Sequence, residues 1–508
     1  MKRWSPSYPL ALIIALIALM PVVVLISLAS DSPQLFDARN LEILTNTLAL
    51  MVFTAGGAVL IGVPLAFLTA YVRLPWSKFW LVLLASPLAI PSYIGAFTLY
   101  AAFGAGGEIE QLTGLTTPSF EGLFGSSVVM ALYTYPFVML TVRASLLSLD
   151  ASLVYAARTL GMSLLGSLWS VVLPRIANGI AAGVLLAAMY ALSDFGTPAI
   201  LGLDTFTRMI YVEYNSFGLS QAAMLSLQLL VIVGLILFIE SRVKGTHERP
   251  GKSLTLWPGK LRTSAMLLGS MPVIALSILL PLAVFGIWLW REGAGNFELV
   301  YAWNSAYAAF FAAIATVIFA LPVAQAAISG KFGRLMERVS YLGFGVPGIV
   351  MGTALVYVGL QLSFLYQTLT LLVLAYVMRF LPLAVGSIRS TSERLDPSLV
   401  KAARLLGASR KEAFRRITLP LSIRGIVAGG ALVFLEVMRE LPATLILSPL
   451  DFETLATYLW RVYEAGYFGQ AAIPGLLLVV ISALAMAIMF YGERWNQTDV
   501  IEEEPSLS

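Results

Sequence analysis

The chain alternates long apolar runs with short polar connections. Twelve runs approach bilayer length, near 10–29, 48–71, 80–101, 126–142, 179–198, 222–240, 265–289, 305–327, 340–362, 366–386, 425–446 and 472–492. A helix needs about 20 apolar residues to cross the hydrocarbon core. Polar and proline positions interrupt the fourth and tenth runs. The pattern predicts an all-α polytopic membrane protein of about twelve transmembrane helices. The first run follows Lys2-Arg3 and ends in Ser27-Leu28-Ala29-Ser30, as a signal peptide does, but its apolar stretch is too long and 265–289 is its counterpart. We therefore read it as a retained helix.

Composition strengthens this picture. Of 508 residues, 59% are hydrophobic and only 12% charged, and the mean hydropathy is +0.86. So little charge could not cover the surface of a soluble fold of this size. With no cysteine and one histidine, His247, thiolate and histidine metal sites and Ser-His-Asp catalysis have no raw material. Gly251-Lys252-Ser253 has the tail of a phosphate-binding loop, but Thr246 stands where its first glycine belongs. Placing the N-terminus in the cytoplasm puts 26 of the 32 Lys and Arg on the inner side and only Arg39, Arg208, Arg291 and Arg461 outside, with Arg379 and Arg439 inside spans. Both termini are thus expected in the cytoplasm of a bacterial plasma membrane.

The strongest internal signal is a repeat. Residues 150–180 (DASLVYAARTLGMSLLGSLWSVVLPRIANGI) align with 396–426 (DPSLVKAARLLGASRKEAFRRITLPLSIRGI) at a separation of 246, with 14 of 31 positions identical. Pro136 and Arg143 match Pro382 and Arg389, and Gly179-x-x-x-Gly183 matches Gly425-x-x-x-Gly429. Six spans per half give two parallel repeats: 1–240 and 264–492, joined by a basic linker at 241–263 and followed by a tail at 493–508. The repeated segment lies between spans, on the inner side. Leu153, Ala156, Ala157 and Leu160 make the stripe of a short amphipathic helix, Gly161 and Gly407 stand where it would stop, and Leu173-Pro174 and Leu419-Pro420 mark entry into the next span. Small residues at matched sites suggest a socket for a soluble partner more than a face lying on lipid headgroups, the reading that the bases of 399–416 keep open.

Ala156-Ala157-x-x-x-Gly161 with Leu173-Pro174, and Ala402-Ala403-x-x-x-Gly407 with Leu419-Pro420, resemble the EAA motif of binding-protein-dependent ABC transporter permeases. Tyr155 and Lys401 replace the glutamate of that pattern. The resemblance implies a MetI-like, type I importer permease fold, with these ten residues as the coupling helices that dock on two copies of an ABC ATPase subunit. It implies ATP-Mg on those subunits and no cofactor on this chain, a periplasmic or lipid-anchored substrate-binding protein outside, contact with membrane lipid, and no nucleic acid. Ser193-Asp-Phe-Gly-Thr-Pro198 with Asp204-Thr-Phe-Thr207, and Met438-Arg-Glu-Leu-Pro-Ala-Thr444 with Phe452-Glu-Thr-Leu-Ala-Thr457, resemble the ferric iron permeases. Thiamine, polyamine, sulfate or phosphonate are the alternative cargoes.

Ionisable groups inside spans are functional candidates by default. Asp194 and Glu440, equivalent at the offset of 246, are expected at an outer gate or the translocation pathway, with an interfacial helix cap as the bland alternative. Glu436 and Arg439 are expected to pair with each other or with Glu440, and Arg379 to reach a carboxylate of the other half. Carboxylates of the outer segments, including Glu108, Glu110, Glu121, Asp451 and Glu453, are a candidate surface for basic patches of a binding protein. A self-contained secondary transporter would also have twelve spans in two halves, but leaves the repeated inner segment without a purpose. No nucleophile–base or metal constellation points to an enzyme.

Overall fold

The computed structural model describes residues 7–29, 38–117, 120–240, 242, 254–393 and 395–484. Most of the linker, with His247, and the acidic tail lie outside the described residues. Among those described, seven helices are long and apolar enough to cross a membrane, and three bent helix pairs raise the number to ten. Two shorter apolar helices, Gly348–Gln361 and Phe468–Leu484, stand where the ninth and twelfth spans were expected. Over its described residues each predicted run is therefore largely helical, but not every run is a straight span. Ser77–Ala89 and Ser92–Thr113 meet at 89°, with Ile90-Pro91 between them. Pro91 and Pro347 immediately precede the helices Ser92–Phe103 and Gly348–Gln361. Proline fixes φ and disfavours α geometry in the residue before it, so it ends the incoming helix and starts the next.

The packing units cross the boundaries of the sequence repeats. One unit collects the described residues of 1–35, 209–230 and 298–461, and the other those of 36–208, 231–297 and 462–508. In the first, Tyr8–Ala29 packs on Leu299–Ser329, Lys331–Gly345 and Gly348–Gln361. In the second, Leu280–Glu292 packs on Ser92–Phe103 and Phe468–Ala471. The opening helix of each sequence half thus serves the core of the other half.

Each core is a bundle of three long helices with small residues at the contacts. Ala38–Tyr71, Gly122–Ser148 and Ala177–Ser193 form one; Leu299–Ser329, Leu369–Glu393 and Ile423–Met438 form the other. Apolar side chains gain nothing by leaving lipid for one another, so association rests on close packing, which small residues permit. A Cβ at Gly183 would lie 2.5 Å from Val138 Cα, and one at Gly425 2.7 Å from the Ser387 carbonyl. The glycine pairs of the repeat are therefore contact points in both cores.

Three π-helical turns, Leu168–Val172, Ala275–Leu279 and Phe414–Thr418, each end immediately before a Leu-Pro pair. A proline inside an α-helix clashes with the carbonyl four residues back, and one wider turn relieves that clash. The linker end is ordered as well. Leu256 pairs with the backbone of Tyr71 and Arg73 (2.7 and 3.2 Å), Leu254 is buried, and the Arg73 guanidinium lies 4.5 Å from the Trp257 ring centre.

Gly183→Leu is expected to destabilise the chain by about 1–3 kcal/mol through overpacking, read as a lower melting temperature in detergent. Gly56→Leu, where nothing lies within 4 Å of an added Cβ, is expected to leave it unchanged.

Candidate coupling surface and helix-break sites

The repeated segment folds into the same two-helix elbow in both copies. Ser152–Thr159 and Pro397–Leu405 come first, with the main-chain N–H of Ser152 and Ser398 donating to Asp150 and Asp396 (2.9 and 2.8 Å). The bonds from Ser398 hold the Asp396 carboxyl below its ordinary range. Because that pKa is depressed in the folded chain, the cap persists above the ordinary carboxylate range and is lost as pH falls through the lowered value. Gly161 and Gly407 then take left-handed φ values of 88° and 91°. The following N–H groups of Met162 and Ala408 reach back to the carbonyls of Ala157 and Ala403 (3.1 and 3.0 Å), closing a Schellman turn. Glycine is required here by backbone conformation, since nothing crowds its Cβ position. Leu164–Arg175 and Lys411–Leu421 follow, each meeting its span at 64°.

The stripe read from the sequence is displaced. Ala151, Val154 and Ala157 are the buried positions of the first copy, the first two clustered with Leu149, Val172 and Leu254, whereas Ala156 and Leu160 are exposed. A helix of two turns resting on its elbow by one edge leaves the rest of its apolar surface outward. Leu160 and Leu406, equivalent residues, are 85% and 89% exposed. Ala156 and Ala402 are exposed with them, Ala157 is buried, Ala403 is intermediate, and Leu173-Pro174 and Leu419-Pro420 carry the turn into the span. Ala156, Gly161, Ala402 and Gly407 thus lie beside bare leucines on the side rich in basic residues, a surface fit for a protein partner.

The second pair of sites lies where the spans after each elbow break. Ala177–Ser193 ends at Asp194, and Gly196–Ile200 begins beyond it; Ile423–Met438 ends before Glu440, and Pro442–Leu447 follows. Both carboxylates cap the short helix. Asp194 accepts from the Thr197 N–H (3.0 Å) and the Ser92 hydroxyl (2.7 Å). Glu440 accepts from the N–H groups of Ala443 (2.9 Å) and Thr444 (3.0 Å) and from the Thr444 hydroxyl (2.6 Å). Protein groups, not interfacial water alone, hold each cap.

The two breaks differ in charge. Arg379 Nη1, part-buried, stands 3.5 Å from Oε1 of the buried Glu440, so Arg379 meets a carboxylate of its own half. Its equivalent at the offset of 246 is Tyr133, whose hydroxyl donates to the Ser277 carbonyl (3.0 Å). Room for the guanidinium comes from Gly348, where a Cβ would lie 1.8 Å from Arg379 Nη1 and 2.6 Å from Glu440 Oε1. In the first half the residue that follows the corresponding proline is Ser92, the partner of Asp194. One half therefore caps its break with a hydroxyl, the other with a glycine that admits an arginine. Glu436 and Arg439 pair with each other through two contacts, both part-buried.

Sequence reasoning missed two further features. Asn46-Thr47 and Asn304-Ser305 repeat one job: the amides donate to the Asp204 and Glu453 carbonyls (3.2 and 2.9 Å), and the hydroxyls accept from the Phe206 and Leu455 N–H groups (3.1 and 2.7 Å). They hold the entrance of Phe206–Asn215 and Leu455–Glu464. Their own spacing is 258, so a search at 246 passes over them. Several of the carboxylates expected on the outer side are also already engaged. Glu108 is buried and bonded to Trp288 Nε1 (2.8 Å) and Arg291 (2.8 Å), and Glu453 pairs with Arg461 (2.6 Å). Neither is free for a basic partner. Among the described residues no three of His, Cys, Asp and Glu converge as a metal site.

Arg379→Met should cost about 3–5 kcal/mol, because it leaves Glu440 buried without its cation. Gly348→Ala should lower the melting temperature as well, by driving a methyl into the guanidinium. Gly407→Val should destabilise the second elbow by about 1–2 kcal/mol, since a β-branched residue resists left-handed φ; hydrogen exchange confined to 397–409 would read it.

The family model described as "Binding-protein-dependent transport system inner membrane component" matches the chain twice, over 62–244 and 316–496. An Fe(3+)-transport system permease protein of Haemophilus influenzae is 33% identical over 483 residues, 91% of this chain and 92% of that protein. A probable ABC transporter permease of Sinorhizobium fredii is 26% identical over 89% of this chain and 87% of its own length. A molybdate/tungstate permease of Methanocaldococcus jannaschii is 27% identical over 46% of this chain and 92% of itself, so it matches about one half. These matches agree with the doubled elbow and with a transport subunit that is not an enzyme. The chain belongs to the binding-protein-dependent transport system inner membrane components, as a multi-pass ABC permease with two copies of the family's domain in one polypeptide.

Proposed function

We propose that this permease imports ferric iron, delivered by an extracytoplasmic ferric-binding protein, and that two ATPase subunits drive it through the paired elbows. The observation that carries the cargo is the likeness to the Haemophilus influenzae Fe(3+) permease along nearly the whole of both chains. The exposed leucines, small residues and rigid glycine turns at both elbows support the ATPase docking. In this reading both termini are cytoplasmic, the membrane is the bacterial inner membrane, and ATP-Mg is held by the partners. Asp194, Glu440, Glu436 and Arg439 stand at the outer part of the pathway. As caps, Asp194 and Glu440 shape the break in each gate helix and are not fixed ligands for iron. Ferric ion prefers hard oxygen donors, and a cargo that must leave again is served by weak contacts along its path.

Uptake of labelled ferric iron by intact cells, with and without the chain and in competition with thiamine, sulfate and molybdate, tests the cargo. Loss of iron uptake alone is expected; loss of another uptake with iron intact would discard iron and keep the importer. Co-purification with an ATPase tests the docking, and its absence would favour a secondary transporter. Asp194→Asn, whose amide oxygen can still accept from the Thr197 N–H, is expected to reduce transport while preserving assembly, and unchanged transport would remove it from the pathway.

A further inference from the structure

The elbows differ in chemistry at several matched positions, four of which lie in Lys411–Leu421 of the second elbow or just past it and gain a base. Leu165, Trp169, Ser170 and Asn178 of the first copy become Lys411, Arg415, Arg416 and Arg424 in the second. All eight are exposed or part-exposed; Leu165 and Trp169 are 78% and 76% exposed, and the four bases of the second copy are all exposed. None of these bases lies within ion-pair distance of a carboxylate among the described residues. Glu412, the nearest acid in sequence, closes a capping box with Ser409, accepting from its N–H at 2.9 Å while its own N–H reaches the Ser409 hydroxyl at 3.2 Å.

Geometry gives the depth of these positions. Lys411–Leu421 runs at 64° to Ile423–Met438, with only Ser422 between them. At a rise of 1.5 Å per residue it climbs only about 7 Å along the direction of its span. A headgroup layer is itself roughly 5–8 Å deep on each side of the hydrocarbon. Lys411–Leu421 therefore rises by no more than about one such layer from end to end, and its last residue adjoins the span through Ser422. Trp169, at the position of Arg415, supports the same depth, because tryptophan favours the membrane–water interface.

We propose that Lys411, Arg415, Arg416 and Arg424 bind the headgroups of anionic phospholipid in the inner leaflet. The second elbow is anchored by charge where the first is anchored by Leu165 and Trp169. The side of the membrane rests on the orientation given under Proposed function; the lipid site itself does not depend on the cargo or on the ATPase. The complement is chemical: Lys411, Arg415 and Arg424 have no ion-pair partner among the described residues and Arg416 is answered only by the exposed Glu412 one turn away, so next to the span each attracts anionic lipid and salt screens the attraction within a Debye length.

The test uses the full chain in detergent, titrated with phosphatidylglycerol or phosphatidylcholine and read by native mass spectrometry. Phosphatidylglycerol should be retained preferentially. K411Q/R415Q/R416Q/R424Q should lose that preference by about three-fold or more, while R415K/R416K/R424K should keep it. An equal preference in the neutralised variant overturns the proposal. So does a neutralised variant that keeps the lipid but releases a co-purifying ATPase at low salt, which would assign the cations to the soluble partner. Should the neutralised variant fold poorly, L165K/W169R/S170R/N178R in the first copy must raise phosphatidylglycerol retention; no rise overturns it equally. Failure of iron uptake to require this chain would leave each of these outcomes readable.

Discussion

Hydrocarbon offers no water to a freed backbone N–H, so wherever a membrane helix breaks, the protein must supply the missing partner. This constraint organises the two sites beyond Ser193 and Met438. Each break exposes the first turn of a short helix, and each is met by a carboxylate that accepts from its N–H groups. The same requirement explains Asn46-Thr47 and Asn304-Ser305, which serve the backbone where Phe206–Asn215 and Leu455–Glu464 begin. Polar residues at these depths are thus first of all the means by which the chain can bend at all.

Having met that requirement twice, the two halves solved it differently. Asp194 is held by a serine hydroxyl, and Glu440 by a threonine hydroxyl with an arginine beside it. A buried ion pair demands close geometry and leaves a costly orphan when one partner moves. The second break therefore depends on Arg379 as well as on the backbone it caps. The elbows show a parallel divergence, with apolar and aromatic side chains in one copy and bases at the same positions in the other. Duplication preserved the backbone, turn for turn, and released the side chains to divide labour.

Packing follows from the weakness of side-chain attraction in lipid. Long helices associate where Gly183, Gly425 and their neighbours let backbones approach. The opening helix of each half then finds its place on the other half's core. That exchange makes each packing unit depend on both sequence repeats, so neither repeat forms its compact unit alone.

How far the sequence reached can be judged residue by residue. Apolar run length fixed the helical class, the 246-residue repeat fixed the elbows, and Gly161 and Gly407 were legible as helix stops because only glycine takes left-handed φ cheaply. Those are local properties, written in spacing and backbone preference. What faces what is not local. The buried edge of Ser152–Thr159 is 151/154/157, one register away from the apparent stripe, because the elbow beneath chooses the face. Arg379 pairs within its own half because Gly348, distant in sequence, leaves it room. Glu108, which reads as a surface charge, is buried by Trp288 and Arg291, 180 residues and more away. The sequence by itself determined the elements, their duplication and the family; only the tertiary structure decided partners and exchanged cores, since these depend on which distant backbone comes close enough to touch.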